Sequence, residues 1–353
     1  MKSKWIKNGI GISIVFLTYS CKSLPAKPEA KQITTAYIAN PPVTTNSHAA
    51  TLVEYLPNKI MAAWFGGSYE GAKDVAIYTS KLEDKGWTKP QLVIKPAIIK
   101  GDTLACWNPV LFKSITTKKL YLFYKVGKNP REWLGAMVTS LDNGNSWSSP
   151  KYLPDGFLGP IRNKAIEVSP GIILSGSSTE SVATNEWRAH IEMYNEKTAS
   201  WSKITIPNDK GYDIIQPSVL VHSNKSLQLL FRSKHNKLVT SWSDDNGTTW
   251  TNAELIDVVN SNSGVDALSL SAKSFLLVNN PLPQGKDWFY GRNILDVEYS
   301  ADGLNWAKLF DLENEKEGEF SYPAMIQTQD KKVHIVYTYN RKYIKYVNFE
   351  IKK

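Results

Sequence analysis

Apolar residues fall in short runs along this chain. Residues 60–65, 120–126, 172–175, 227–231, 275–278 and 333–339 are the clearest, each of strand length and each bounded by Gly, Pro, Asn, Asp or Lys. No long segment carries the three-to-four-residue period of an amphipathic helix, and no composition shift marks a linker. The pattern predicts an all-β protein with one main domain.

Between the runs an eight-residue pattern recurs, Ser-x-Asp-x-Gly-x-x-Trp. It occupies 140–147 and 243–250, with a shortened copy at 300–306 and eroded copies ending at Trp87 and Trp201. The closing tryptophans Trp87, Trp147, Trp201, Trp250 and Trp306 are spaced at roughly 50 to 60 residues, the length of four short strands and their turns. Such a unit is one blade of a β-propeller. Five units end at those tryptophans. The tail, 310–353, supplies most of a sixth, and a strand near 34–38 would complete it and close the ring without leaving open edges. The expected fold is therefore a six-bladed β-propeller over 32–353. The repeats predict tight hairpins: Asn-Gly or Asp-Gly turns the chain, and the aspartate bonds backbone amides across the turn. Asp142, Asp245 and Asp302 are accordingly scaffold rather than catalytic carboxylates.

Composition adds to this outline. The chain has 12 Trp and 17 Tyr, which suit cores between blades and flat surfaces for stacking on sugar rings. A net charge of +9 favours acidic partners, yet no compact Lys/Arg block or nucleic-acid motif appears. An anionic glycan fits better than nucleic acid. At the N-terminus three lysines precede a short apolar stretch, then Ser20, Cys21 and a polar segment rich in Pro, Lys and Ala. This reads as a bacterial lipoprotein signal over 1–20, with Cys21 as the lipidated first mature residue and 21–31 as a tether. Cleavage after Ser20 without lipidation is the alternative. The expected location is the cell envelope, with membrane attachment through a lipid anchor only. Of the two cysteines, Cys106 lies in an apolar strand and reads as a buried thiol. The five histidines are scattered, so no metal site or cofactor is expected, and a monomer is.

The repeat is the Asp-box, or bacterial neuraminidase repeat, and nearly all of the mature chain resembles the sialidase superfamily. That resemblance implies a carboxylate clamp of three arginines, a tyrosine nucleophile paired with a glutamate, and an aspartate as general acid/base; guanidinium forks suit a planar carboxylate, and a neutral tyrosine avoids repulsion by it. Matching positions are Arg232, ending Leu-Gln-Leu-Leu-Phe-Arg, and Arg292, in Gly-Arg-Asn-Ile-Leu-Asp. Tyr322, in Phe-Ser-Tyr-Pro-Ala, falls at the nucleophile, and Asp74 at the acid/base, with Glu70 a competing assignment. Two positions depart from the pattern. His48, in Ser-His-Ala-Ala-Thr, stands where the first arginine would be, and Gln216 where the glutamate would be. The clamp is thus expected to hold two arginines, with Glu167, Glu180 or Glu319 as possible substitutes for the glutamate. The His-Ala-x-Thr, Trp-Asn-Pro-Val, Gly-Pro-x-x-Asn-Lys and Phe-Ser-Tyr-Pro-Ala motifs resemble a sialidase-like subgroup more than the authentic sialidases.

Loop residues complete the expected site: Trp107 and Asn108 at the mouth, Lys164 after Arg162, His190, and Asp266. The leading expectation is a glycoside hydrolase that releases a terminal acidic sugar. Arg232 and Arg292 would bind the carboxylate, Tyr322 would act at the anomeric carbon, and Asp74 would protonate the leaving oxygen. His48 would replace part of the missing arginine or serve as acid/base. The alternatives are a polysaccharide lyase acting on a uronic-acid glycan, with His48 or Tyr322 as base, and a non-catalytic glycan-binding propeller.

Overall fold

A computed structural model describes residues 28–271, 274–287 and 289–352. Cys21 and the whole 1–20 segment lie outside the described residues. None of the described residues is helical, and the strands form six antiparallel sheets arranged as the blades of a propeller.

Chain order and spatial order agree within the first five blades. The first blade runs outward through Asn46–Leu56, Lys59–Gly67 and Ala76–Glu83, and the second through Asp102–Lys113, Leu120–Gly127, Leu134–Ser140 and Lys151–Tyr152. The third starts at Ile166–Ser169, the fourth at Ile214–Val221, and the fifth at Asp266–Ser271. The sixth joins Phe320–Gln327, Val333–Tyr339 and Tyr343–Lys352 to Glu29–Tyr37, which pairs with the last strand in the register Thr35↔Val347. This is the expected closure. The closing strand begins at Glu29, inside the segment expected to be tether, because the backbone of the C-terminal strand offers it partners out to Lys352.

The core is divided by interface. One apolar cluster fills each gap between neighbouring blades, as where Met61, Phe65 and Ile77 meet Leu120, Leu122 and Tyr124, or where Leu276 and Val278 meet Ile335 and Tyr337. Most of the aromatic surplus is spent here, and Trp64, Tyr121 and Tyr124 are almost wholly buried. Cys106 is also buried, and burial pushes its thiol up to about 12.

The Asp-boxes occupy the hairpins between third and fourth strands. Asp142 accepts hydrogen bonds from the amides of Asn145 and Ser146 and from the Ser146 hydroxyl, which hold its carboxyl far below the usual range. Asp245 is held in the same way by Thr248 and Thr249. Gly144 has φ +78°, and a Cβ there would lie 2.3 Å from Met61 Cε of the preceding blade. The box glycine therefore serves the turn and the blade contact together.

Candidate active site at the propeller mouth

The site lies at the opposite end from the Asp-boxes, where the innermost strands begin. Four of these strands carry the same irregularity. Their register jumps between His48 and Thr51, Trp107 and Val110, Ile215 and Ser218, and Ser321 and Ala324. Inside each bulge one non-glycine residue has left-handed backbone: Ala49 (φ 50°), Asn108 (φ 37°), Gln216 (φ 54°) and Tyr322 (φ 54°). Three of these four precede proline, which cannot donate to the ladder and confines itself to such irregularities. A bulge re-aims side chains, and non-glycine residues with positive φ cost about 1–3 kcal/mol each and concentrate at functional sites.

Tyr322 is the centre of the constellation. Arg232 Nη1 donates to its hydroxyl at 3.2 Å, and the His48 ring lies 4.2 Å from its ring, centroid to centroid. Arg162 supports the phenol ring from 5.3 Å, but its guanidinium donates to the carbonyls of Pro323 and Val265 and is structural. Burial pushes the Tyr322 phenol up, yet Arg232, Arg292 and Arg341 outweigh it and leave the group below its ordinary value. Among the described residues no carboxylate is hydrogen-bonded to the Tyr322 hydroxyl. Gln216, at the expected glutamate position, accepts from Arg232 Nη1 at 3.4 Å.

Besides the structural Arg162, three arginines, not two, act on this group. Arg341, in the turn between Val333–Tyr339 and Tyr343–Lys352, had no motif to mark it. Its carbonyl accepts from the amide of Ser47, which places it beside His48, the position lacking an arginine. Arg341 Nε donates to Glu319 at 2.8 Å and its Nη1 to Glu70, while Arg292 Nη1 donates to the other Glu319 oxygen at 3.1 Å. Burial would raise Glu319, but Arg341 and then Arg292 hold its carboxyl below the usual range. Asn262, also unmarked in the sequence, joins two of the arginines: its side chain accepts from Arg232 Nε at 3.0 Å and its carbonyl from Arg292 Nη2 at 3.3 Å. A cavity of about 540 Å3 opens beside Glu319 and Arg341, with Tyr290 and Lys316 on its wall.

His48 is buried, and burial together with the charges of Arg341 and Arg292 keeps its imidazole well below the ordinary value, hence neutral. Nδ1 shares a 2.8 Å hydrogen bond with Thr338 Oγ1, and the buried Nε2 has no partner. Asp74 and Glu70 sit on the loop after Lys59–Gly67, at the same mouth. Asp74 is exposed at the rim and is capped by the hydroxyl and amide of Ser68, which lower its carboxyl. Trp107 donates from Nε1 to Gly127 O at 2.8 Å, and Asn108 is buried in the bulge beside it.

Other expected site residues lie elsewhere or are occupied. Lys164 Nζ contacts both oxygens of Asp266 at 2.8 Å; Asp266 also accepts from Ser218 Oγ and the Met325 amide, so the pair ties inner strands together beneath the site. His190 binds Glu192 at 2.8 Å, to one side, under the segment 157–160. Glu167 is bound by Ile115, Thr116 and Gly171 at the far end of the propeller, too distant to serve Tyr322. Glu180 does face the arginines: burial raises its carboxyl against the pull of Arg232.

Comparisons agree with this architecture. Residues 58–335 match the model of the BNR repeat-like domain. A Dyadobacter fermentans protein of unknown function superposes with a TM-score of 0.72 at 16% identity, over 92% of this chain and 99% of its own. The NanB sialidase of Streptococcus pneumoniae gives 0.66 at 13% identity, over 87% of this chain and 68% of its own. The Ruminococcus gnavus intramolecular trans-sialidase gives 0.67 at 13%, over 89% and 96%. No protein of curated function matches the sequence.

Proposed function

The chain belongs to the BNR repeat-like domain family, and from that premise we propose that it is a sialidase-like glycoside hydrolase that releases a terminal acidic sugar from a glycan. The observation that carries this reading is the gathering of Arg232, Arg292 and Arg341 around the Tyr322 hydroxyl at one end of the propeller. Three guanidiniums suit one planar carboxylate. The same charges favour the phenolate, whose proton is lost to solvent, so Tyr322 attacks the anomeric carbon as the bond to the leaving oxygen breaks, and water then displaces Tyr322 to free the sugar. Gln216 then acts by orienting Arg232 rather than by accepting a proton. Asp74 gives its proton to the leaving oxygen, a role that requires its release from Ser68 when substrate binds. Neutral His48 supports the tyrosine ring.

The test is the release of free acidic sugar from a glycan panel. Wild type should release it, and Tyr322→Phe and Arg341→Ala should each lose most of the turnover. Turnover unaffected by both changes would remove the assignment. One observation favours a second reading. A phenolate with no bonded carboxylate is also suited to take the C5 proton of a uronic acid, whose carboxylate the arginines would hold while the C4–O bond breaks. That elimination leaves a double bond conjugated with the carboxylate, and the ultraviolet absorbance of the unsaturated product separates it from hydrolysis. We also propose export with lipidation at Cys21, which retention of the label by wild type and its loss in Cys21→Ala would establish after growth on radiolabelled fatty acid.

A further inference from the structure

Pro28, the first described residue, stands on the wall of a cavity of about 430 Å3 that none of the roles above uses. The cavity is an open groove between the outermost strands of two neighbouring blades, Glu29–Tyr37 of the sixth and Ala307–Asn314 of the fifth. Ala30, Ile33, Leu309 and Phe310 make its surface largely apolar, and the Glu29 carboxylate on the same wall is paired with Lys31. A bulge turns Ile33 outward. The register jumps between Lys31 and Thr34, Gln32 takes φ 54°, and Ile33 is left 46% exposed. Presenting an isoleucine to water in this way is unfavourable unless something apolar covers it.

The groove's place in the propeller indicates what covers it. In the sixth blade Phe320–Gln327 runs away from the mouth, Val333–Tyr339 returns to the Arg341 turn, and Tyr343–Lys352 runs away again. Glu29 pairs with Lys352, so the closing strand begins at the Asp-box end, opposite Tyr322. Residues 21–27 join Cys21 to Pro28. At about 3.5 Å per residue they reach at most about 25 Å. An acyl group on Cys21 therefore keeps the groove, and not the mouth, next to a membrane.

We propose that this groove rests on a lipid bilayer, with Ile33 and Leu309 entering the headgroup boundary and the mouth turned away from it. The inference rests on the lipidation reading above and is independent of which sugar the site takes. The acyl anchor supplies retention, and the groove supplies orientation, because apolar side chains leave water when they enter the boundary region, about 5–10 Å deep. Lys31 is paired with Glu29, and Lys308 with Asp311, so these flanking charges balance and do not call for anionic lipid. Ile33 lies opposite Phe349, so about 20 Å of the strand that starts at Tyr343 separates it from the mouth. The arginine cluster then faces glycans beyond the membrane surface rather than the headgroups beneath it.

The test anchors the full mature chain to phosphatidylcholine vesicles by coupling the Cys21 thiol to a maleimide phospholipid. Cys106 does not compete, since it is buried and its thiol is pushed up to about 12. Amide hydrogen exchange is compared with that of the same chain, Cys21 capped, in solution. Segments 29–37 and 307–314 should exchange several-fold more slowly on the vesicle, and 68–75 at the mouth should be unchanged. Ile33→Glu, at an exposed position that the core does not need, should remove the protection while the chain stays on the vesicle; Ile33→Leu should keep it. Equal exchange in the two states, protection that survives Ile33→Glu, or protection of 68–75 instead overturns the proposal. Protection that appears on concentrating the vesicle-free chain also overturns it, in favour of a second copy of the chain. Protection on the synthetic anchor, with no fatty-acid label on Cys21 in cells, sustains the groove as a lipid-binding surface and sinks the acylation reading instead.

Discussion

Replacing Arg232 by glutamine should make Tyr322 harder to ionise, and the size of the effect follows from one distance. Arg232 Nη1 is 3.2 Å from the Tyr322 hydroxyl. A unit charge at that separation favours the phenolate by about 1.3 kcal/mol in the dielectric of water and by about 5 kcal/mol at the effective value of about 20 suited to protein sites. Arg232 is buried, so bulk screening understates its influence. Even the lower figure lowers the phenolate-to-phenol ratio at a given pH by about tenfold. The assay is near-ultraviolet absorbance titration of the phenolate, taken as a difference between the wild type and Tyr322→Phe so that the other 16 of the 17 tyrosines cancel. The same difference between Arg232→Gln and the double variant gives the second curve. If the two curves differ by less than about twofold in that ratio, the arginine field does not set the state of Tyr322, and the mechanism without a glutamate base fails with it.

Two further outcomes test other parts of the account. The Ser68 hydroxyl is the largest influence lowering Asp74, so Ser68→Ala should raise the Asp74 carboxyl toward 3.8 and move the basic limb of the kcat/KM profile to higher pH; an unmoved limb removes Asp74 as the acid. Gly144→Ala should cost about 1–3 kcal/mol in urea unfolding, because the new methyl group meets Met61 and the turn holds φ at +78°; a stability equal to wild type would show that the Asp-box does not depend on that contact.

The site was legible in the sequence wherever a residue sat in a motif of its own strand. Tyr322 and Arg232 stand near strand ends and Arg292 lies just ahead of the strand Ile294–Ser300, each with neighbours that announce it, and the structure gathers them at one mouth. The x-Pro pairs at Asn108, Gln216 and Tyr322 were a further signal, since proline inside an apolar strand marks a bulge, and all three residues stand in bulges aimed at the mouth. Arg341 and Asn262 carried no such mark. They lie on connecting segments, and their importance comes from partners far along the chain: Glu70 for Arg341, and Arg232 for Asn262. Lys164 and Asp266 show the same limit in reverse. Each looks like a free charge in the sequence, and each finds the other only once the third and fifth blades are adjacent.

The sequence by itself determined the architecture. Strand-length apolar runs separated by turn residues leave only sheets to build, and the spacing of the Asp-box tryptophans counts the blades, because each is a local unit whose hairpin is closed by residues a few positions apart. Only the tertiary structure decided the chemistry of the mouth. Coulomb interactions depend on distance in space, and closing the ring brings the Arg341 turn beside His48 and three guanidiniums around one phenol. Both the supply of a third arginine and the lowered phenol are consequences of that closure, which no stretch of the chain contains alone.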